Sequence, residues 1–428
     1  MPGRAAAADV AVVGGGVIGV FAAWELARRG ARVTVFDRGP LGLGSSFGNA
    51  GLLTAGAALP VSTPAALATG ARSLAGLASG ISLRRPRNRE ELRFLASFTL
   101  AARRRAVRAA TKTLRELAST SLDLYRQVVA GQTDALGFAE TGWLHVYRTE
   151  RALAGGLAEA DALARLGVRW ELLDAPLLRR RETALREDLV AGINYLEDAI
   201  VEPHRLLRAV GDLAAEASVE LRPGVDVRSI RHHGGRDLEL ETSEGSLPAG
   251  AVVVAAGVWT PALLRPLGVR LPIVPGKGHS LTYPASAGDP GLPLDLIESH
   301  VVVAPTAGRV RITGGMGLLD ARPGVAPGTM PAMLAEARRY LRHVDPPPDA
   351  EAWAGFRPMT PDSLPVVGPL PDLPGLFVAA GHGMLGVTLA PVTAQLLAAS
   401  VGGETPEQIR PLLPERFLPI RSRALGAA

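Results

Sequence analysis

A chain of 428 residues, 47% apolar and 20% charged, is long enough for two or three domains and is not a disordered polymer. It has no cysteine, which excludes disulfides, zinc thiolates, iron–sulfur clusters and cysteine nucleophiles. A net charge of +5 permits attraction to anionic substrates or membranes without demanding nucleic acid. The opening "MPGRAAAADV" has no apolar signal core and no run of about 18 apolar residues follows, so a cytoplasmic protein is expected.

The first predicted elements lie in "DVAVVGGGVIGVFAAWELARRGARVTVFDRG" (9–39). A short apolar run, Asp9 to Val13, predicts a buried parallel strand. Gly14, Gly16 and Gly19 then space G-x-G-x-x-G ahead of a helix whose apolar stripe holds Val17, Phe21, Trp24 and Leu26. A second strand leads to Asp37, 23 residues after Gly14, with Arg38 beside it. Gly14 permits the tight turn, Gly16 the approach of a pyrophosphate, and Gly19 close helix–strand packing. The helix N-terminus at Val17 and Ile18 faces the phosphates, and Asp37 accepts from a ribose diol and repels a 2′-phosphate. These residues predict a dinucleotide site without choosing between NAD and FAD.

The glycine-rich, nearly uncharged "GPLGLGSSFGNAGLLTAG" (39–56) suits a backbone lying against an extended ligand. Ser45, Ser46 and Asn49 offer hydrogen bonds there, beside Ala50, Gly51 and Leu52. Next, residues 83–117 carry eleven Arg or Lys against three acids, with apolar residues at helical spacing. This reads first as a solvated helix and second as a surface for an anionic membrane; no nucleic-acid reader motif accompanies it. "GVDVRSI" (224–230) reads as a strand and "RHHGG" (231–235) as a hairpin tip, since adjacent strand residues point to opposite faces and make a poor metal pair. No metal site is expected. "GAVVVAAGVWTPALL" (250–264) is an apolar strand entering a helix near Trp259. In "GFRPMT", Arg357 presents a planar fork that pairs with a carboxylate, or else makes an interdomain salt bridge. "LFVAAGHGMLGVTLAP" (376–391) repeats the strand, glycine turn and helix order near the other end of the chain.

Three stretches, "GSSFGNAGLL", "WAGFRPMTPDSLPVVG" and "AAGHGMLGVTLAP", resemble the D-amino-acid dehydrogenase and glycine oxidase branch of the D-amino acid oxidase superfamily of FAD-dependent amine oxidoreductases, from about residue 8 to residue 400. The resemblance implies an α/β Rossmann-type FAD-binding domain (1–83, 188–265, 346–428). It implies a second, α+β substrate domain with an antiparallel sheet (84–187, 266–345). It implies FAD held without a covalent link, with Val227 at the adenine and Ala256, Gly257 and Trp259 near the pyrophosphate. Gly381, His382, Gly383, Met384, Leu385 and Gly386 would lie at the flavin. Arg357 would hold the substrate carboxylate, with Met384, His279 and Tyr283 shaping the pocket. Glycine oxidases carry a second arginine where this chain has Met384, which points away from glycine and towards larger D-amino or cyclic imino acids. His382 is read either as a base or as a group that hydrogen-bonds near the flavin, and His279 either as a specificity residue or as a core histidine.

The implied activity is oxidative deamination of a D-amino acid or cyclic imino acid such as D-proline or hydroxy-D-proline. A quinone or oxygen would be the electron acceptor, and contact with the inner membrane face would pass through residues 83–117. Alternatives are an amine oxidase for glycine- or sarcosine-like substrates and a low-turnover flavoprotein subunit. An NAD-dependent dehydrogenase or NAD-sensing module fits the 39–56 segment and Arg357 less well.

Overall fold

The computed structural model describes residues 9–74, 81–131 and 133–418. Its first layer is a six-stranded sheet in the order Val366–Pro369, Leu376–Ala380, Ala251–Val254, Asp9–Val13, Arg32–Asp37, Glu220–Pro223. All neighbours are parallel except the Val366–Pro369 edge. The central strands read as unbroken apolar runs because both faces are covered. Val10, Val12 and Val253 pack on helices Val17–Arg28, Gly386–Val401 and Arg104–Val128, while Ala11, Val252 and Val254 pack on a three-stranded antiparallel layer that includes Ile230, Leu238 and Leu240. The expected hairpin tip after His233 is the turn between Val227–Gly234 and Asp237–Thr242.

The second layer is a nine-stranded, mainly antiparallel roof. Its order is Glu351–Met359, Val274–Pro284, Arg309–Leu318, Val301–Thr306, Leu294–Leu296, Trp143–Tyr147, Ala191–Tyr195, Trp170–Asp174, with Ile81–Leu83 beside Arg309–Leu318. Two contacts in it are parallel, Leu294–Leu296 with Trp143–Tyr147 and Ile81–Leu83 with Arg309–Leu318. The chain changes layers more often than the expected boundaries imply. Ala191–Tyr195 and Glu351–Met359 hydrogen-bond into the roof. Helix Arg104–Val128 turns Ala110, Leu114, Leu117 and Ala118 onto the helical side of the parallel sheet. Arg104, Arg105, Arg108, Lys112 and Arg126 are exposed, as an amphipathic helix allows, while Arg115 turns inward to Glu197 and Ala55 O.

Residues 45–57 run between the layers and are fastened to both. Arg311, only 3% exposed, donates from Nη1 to Asn49 O at 2.6 Å and from Nε to Thr282 Oγ1 at 2.9 Å, with Glu202 at 3.7 Å. Ser45 donates to Phe356 O, and the buried Asp198 carboxylate accepts from the N–H groups of Gly56 and Ala57. From the other layer, Thr388 Oγ1 donates to Leu52 O at 3.0 Å.

The glycine fingerprint packs as expected. Gly14 has φ +115°, and a Cβ there would lie 2.5 Å from Ala255 O; a Cβ on Gly19 would lie 1.8 Å from Gly14 O. Because the Gly19 clash is with backbone, Gly19→Ala is expected to cost about 2 kcal/mol or more. A urea midpoint unchanged from wild type would contradict this packing.

Candidate active site

One cavity of about 1480 Å³ separates the layers. At one end it is lined by Gly14, Gly16, Val17, Ile18, Asp37 and Arg38. Helix Val17–Arg28 starts there with no side-chain cap from Gly16, although Ser46 Oγ, from the neighbouring loop, accepts the Val17 N–H at 3.1 Å. The Asp37 carboxylate is held by the N–H groups of Gly15 at 2.8 Å and Gly39 at 2.9 Å. Val227, Ala256, Gly257 and Trp259 continue this wall, with the Arg38 guanidinium 4.0 Å over the Trp259 ring. Ser45, Ser46, Asn49, Ala50 and Leu52 also line the cavity. Gly19 and Gly51 do not: Gly51, at φ +79°, lets the chain pass Val201 O, which a Cβ would approach to 1.9 Å.

The C-terminal turn enters the same cavity. His382, Gly383, Met384, Leu385 and Gly386 line it, while Gly381 packs outside it against Thr360. Helix Gly386–Val401 begins with no side-chain cap from Leu385, so a second helix N-terminus opens into the space. Both ends favour negative charge, as phosphates or the N1–O2 edge of a reduced flavin carry. His382 is buried, with Nε2 3.0 Å from Thr393 Oγ1, and burial pulls its pKa down to about 3. It is a neutral hydrogen-bonding group and too weak a base to carry a proton at neutral pH.

Arg357 sits on Glu351–Met359 with its guanidinium over Gly278, where a Cβ would lie 2.4 Å from Nη1. Nη1 donates to Gly315 O at 2.8 Å, and among the described residues no carboxylate pairs with it. Burial lowers its pKa to about 10, leaving it protonated at neutral pH. A cation in a cavity without a counter-ion is a strong signature of an anionic ligand. Met384, 45% exposed, stands at the same mouth.

His279 and Tyr283 lie off the cavity wall. Regular alternation along Val274–Pro284 gives the cavity face to Gly278 and turns its neighbour His279 to the other face, where both His279 ring nitrogens lack partners. Tyr283 is buried in the roof's own core and donates to Asp289 Oδ1 at 3.2 Å. Sequence reasoning missed Trp143, His145, Tyr147, Glu159 and Asp295, all on the cavity wall. The period of two in "WLHVY" puts Trp143, His145 and Tyr147 on one face and could have revealed the first three.

The residues fit FAD. The cavity is long, a glycine turn with its acid lies at one end, and a second uncapped helix start opens into it. Comparisons agree. The profile of the "FAD dependent oxidoreductase" family matches residues 9–400. A D-amino acid dehydrogenase of Methylobacterium nodulans is 35% identical over 411 residues, covering 93% of this chain and 96% of its own. One from Cereibacter sphaeroides is 32% identical over 404 residues, covering 93% and 92%. Glycine oxidase from Geobacillus kaustophilus superposes with a TM-score of 0.76 at 26% identity, covering 96% and 99%. L-proline dehydrogenase from P. horikoshii shares the fold, with a TM-score of 0.69 at 20% identity over 96% and 98%.

An unpaired guanidinium destabilises the fold that holds it. Arg357→Met is therefore expected to raise the urea midpoint, by about 1 kcal/mol of stability, while weakening benzoate binding about 30-fold. Loss of stability together with unchanged benzoate affinity would show that Arg357 is a structural ion instead.

Proposed function

Because the chain belongs to the FAD-dependent oxidoreductase family, in which it oxidises amino acids, we propose that its substrate is a D-amino acid or a cyclic imino acid such as D-proline or hydroxy-D-proline. The observation that carries this reading is Arg357, a protonated guanidinium facing the cavity with no carboxylate of its own among the described residues. Its fork binds the substrate carboxylate bidentately and so fixes the direction of the Cα–H bond.

Bound FAD supplies the hydride acceptor, its N5. Gly14, Gly16, Val17 and Ser46 hold the phosphates and Asp37 the ribose, while the turn from Gly383 to Gly386 stabilises charge at the flavin's pyrimidine edge. No side chain has to take a proton from the Cα. The substrate amine must be neutral, and His382 is not needed as a base. The imine formed is hydrolysed in water to a 2-oxo acid and ammonia, or leaves intact when cyclic.

Met384 adds apolar, adaptable bulk beside Arg357, favouring larger side chains over glycine or sarcosine. For the electron acceptor we favour a quinone at an anionic membrane. Helix Arg89–Ala101 exposes Leu92 and Leu100, each 54% accessible, together with Arg93, and the exposed run Arg103, Arg104 and Arg105 follows it. The same helix turns Leu95 and Phe98 towards the cavity. Among the described residues no helix is long and apolar enough to cross a membrane, so this contact would be peripheral.

Anaerobic titration of the holoenzyme with D-alanine, D-proline, hydroxy-D-proline and glycine should bleach the flavin band with at least one D-compound and least with glycine. A yellow protein that none of them bleaches refutes the reading as a short or cyclic amino-acid enzyme. Co-sedimentation with phosphatidylglycerol vesicles should fall about tenfold in a Leu92→Glu, Leu100→Glu variant and hardly occur with phosphatidylcholine. No sedimentation with phosphatidylglycerol, or none lost in the variant, removes the membrane contact, and equal binding to both lipids removes its anionic preference.

A further inference from the structure

At the limb of the cavity away from Arg357, the face of Trp143–Tyr147 that carries Trp143, His145 and Tyr147 meets Asp295, which stands in register with His145. His145 is 5% exposed, neither ring nitrogen has a hydrogen-bond partner, and Nε2 is 4.0 Å from Asp295 Oδ2. Its ring lies edge-on between Trp143 at 4.5 Å and Tyr195 at 4.8 Å. The indole Nε1 of Trp143 is also unpartnered. Glu159, from helix Glu150–Ala164, completes this wall. Glu159 is itself exposed, and it lines the cavity.

Two carboxylates thus share a pocket without a counter-ion. Among the described residues no Lys or Arg lies within salt-bridge distance of Asp295 or Glu159, and burial pushes both pKa values up to about 7. His145 cannot neutralise them, because burial holds its own pKa near 3. Among the described residues no trio of His, Asp or Glu has metal-holding geometry. Carboxylates beside aromatic rings are instead the surroundings an organic cation seeks.

We propose that this limb, walled by Asp295, Glu159, His145 and Trp143, binds the ammonium or guanidinium at the far end of a substrate's side chain, so that the enzyme selects long cationic amino acids. The inference rests on the reading that the substrate carboxylate sits at Arg357. The Arg357 guanidinium reaches Gly315 O on Arg309–Leu318, two strands from the one bearing Asp295 and so roughly 10 Å from it at the usual strand spacing. A short residue such as alanine cannot bridge that span, and an extended basic one is suited to it.

D-Norleucine matches D-lysine without its terminal ammonium, so the ratio of their kcat/KM values isolates the subsite. The holoenzyme should favour D-lysine at least tenfold, and Glu159→Gln with Asp295→Asn should reduce that ratio at least tenfold. A merely structural defect lowers both rates and leaves the ratio alone. A wild-type preference for D-norleucine, or a ratio unmoved by the substitutions, overturns the proposal. If neither compound reduces the flavin, the rate ratio has no value and the subsite is judged by calorimetry with 1,5-diaminopentane. Binding to the holoenzyme that is lost in Glu159→Gln supports the subsite, and no binding to the wild type overturns it.

Discussion

Two helices that begin at one cavity without side-chain caps set the terms for the rest of the molecule. The first N–H groups of a helix have no intrahelical partners, and leaving them buried and unsatisfied is costly. Here Val17–Arg28 and Gly386–Val401 both start at glycine-rich turns with no cap from their own N-cap residue. The strands feeding them, Asp9–Val13 and Leu376–Ala380, flank Ala251–Val254, and the two helices pack on each other over the sheet. The arrangement is economical with an anionic, elongated cofactor in place and awkward without one. That logic accounts for the absence of a capping side chain at the N-cap positions Gly16 and Leu385 themselves, where serine or aspartate would otherwise be favoured. Ser46 Oγ takes only the Val17 N–H.

A second contrast separates the scaffold from the site. Arg311 and Arg357 both project from the roof and both lose solvent. Arg311 has a carboxylate, a hydroxyl and a carbonyl around it, and it secures the segment at Asn49. Arg357 has one carbonyl and an open cavity. The same comparison distinguishes Asp198, which caps the backbone at Gly56 and Ala57, from Asp295, which has only an unprotonated ring near it. Charge that is satisfied holds the fold together, and charge left over points to a ligand.

What could be read from the chain was mostly local. Strand, glycines, helix, strand and acid follow one another between Asp9 and Asp37, and the turn at Gly381–Gly386 has the same grammar. Arg357 was visible from its chemistry. Sheet membership was not, because Ala191–Tyr195 and Glu351–Met359 look like ordinary apolar strands and their partners lie elsewhere in the chain. His279 was misplaced because which face of its strand meets the cavity depends on the layers' packing, and that face went to Gly278. The group around His145 was hidden for a similar reason. Its acids come from a helix and from a strand some 150 residues further on, and only the parallel pairing with Leu294–Leu296 brings Asp295 alongside.

The order of the parallel sheet also governs when the molecule can become an enzyme. Leu376–Ala380 is adjacent to a strand that itself pairs with the first strand of the chain, so the two ends of the cofactor site are separated by almost the entire synthesis of the polypeptide. Contacts of such long sequence separation form late, and until they do the apolar faces of Asp9–Val13 and Ala251–Val254 lack part of their cover. The nascent chain therefore passes through a long interval with its nucleotide-binding motif made and its flavin-end turn still untranslated. A chain interrupted anywhere before Gly386 carries the glycine fingerprint but lacks the second helix that opens into the same cavity.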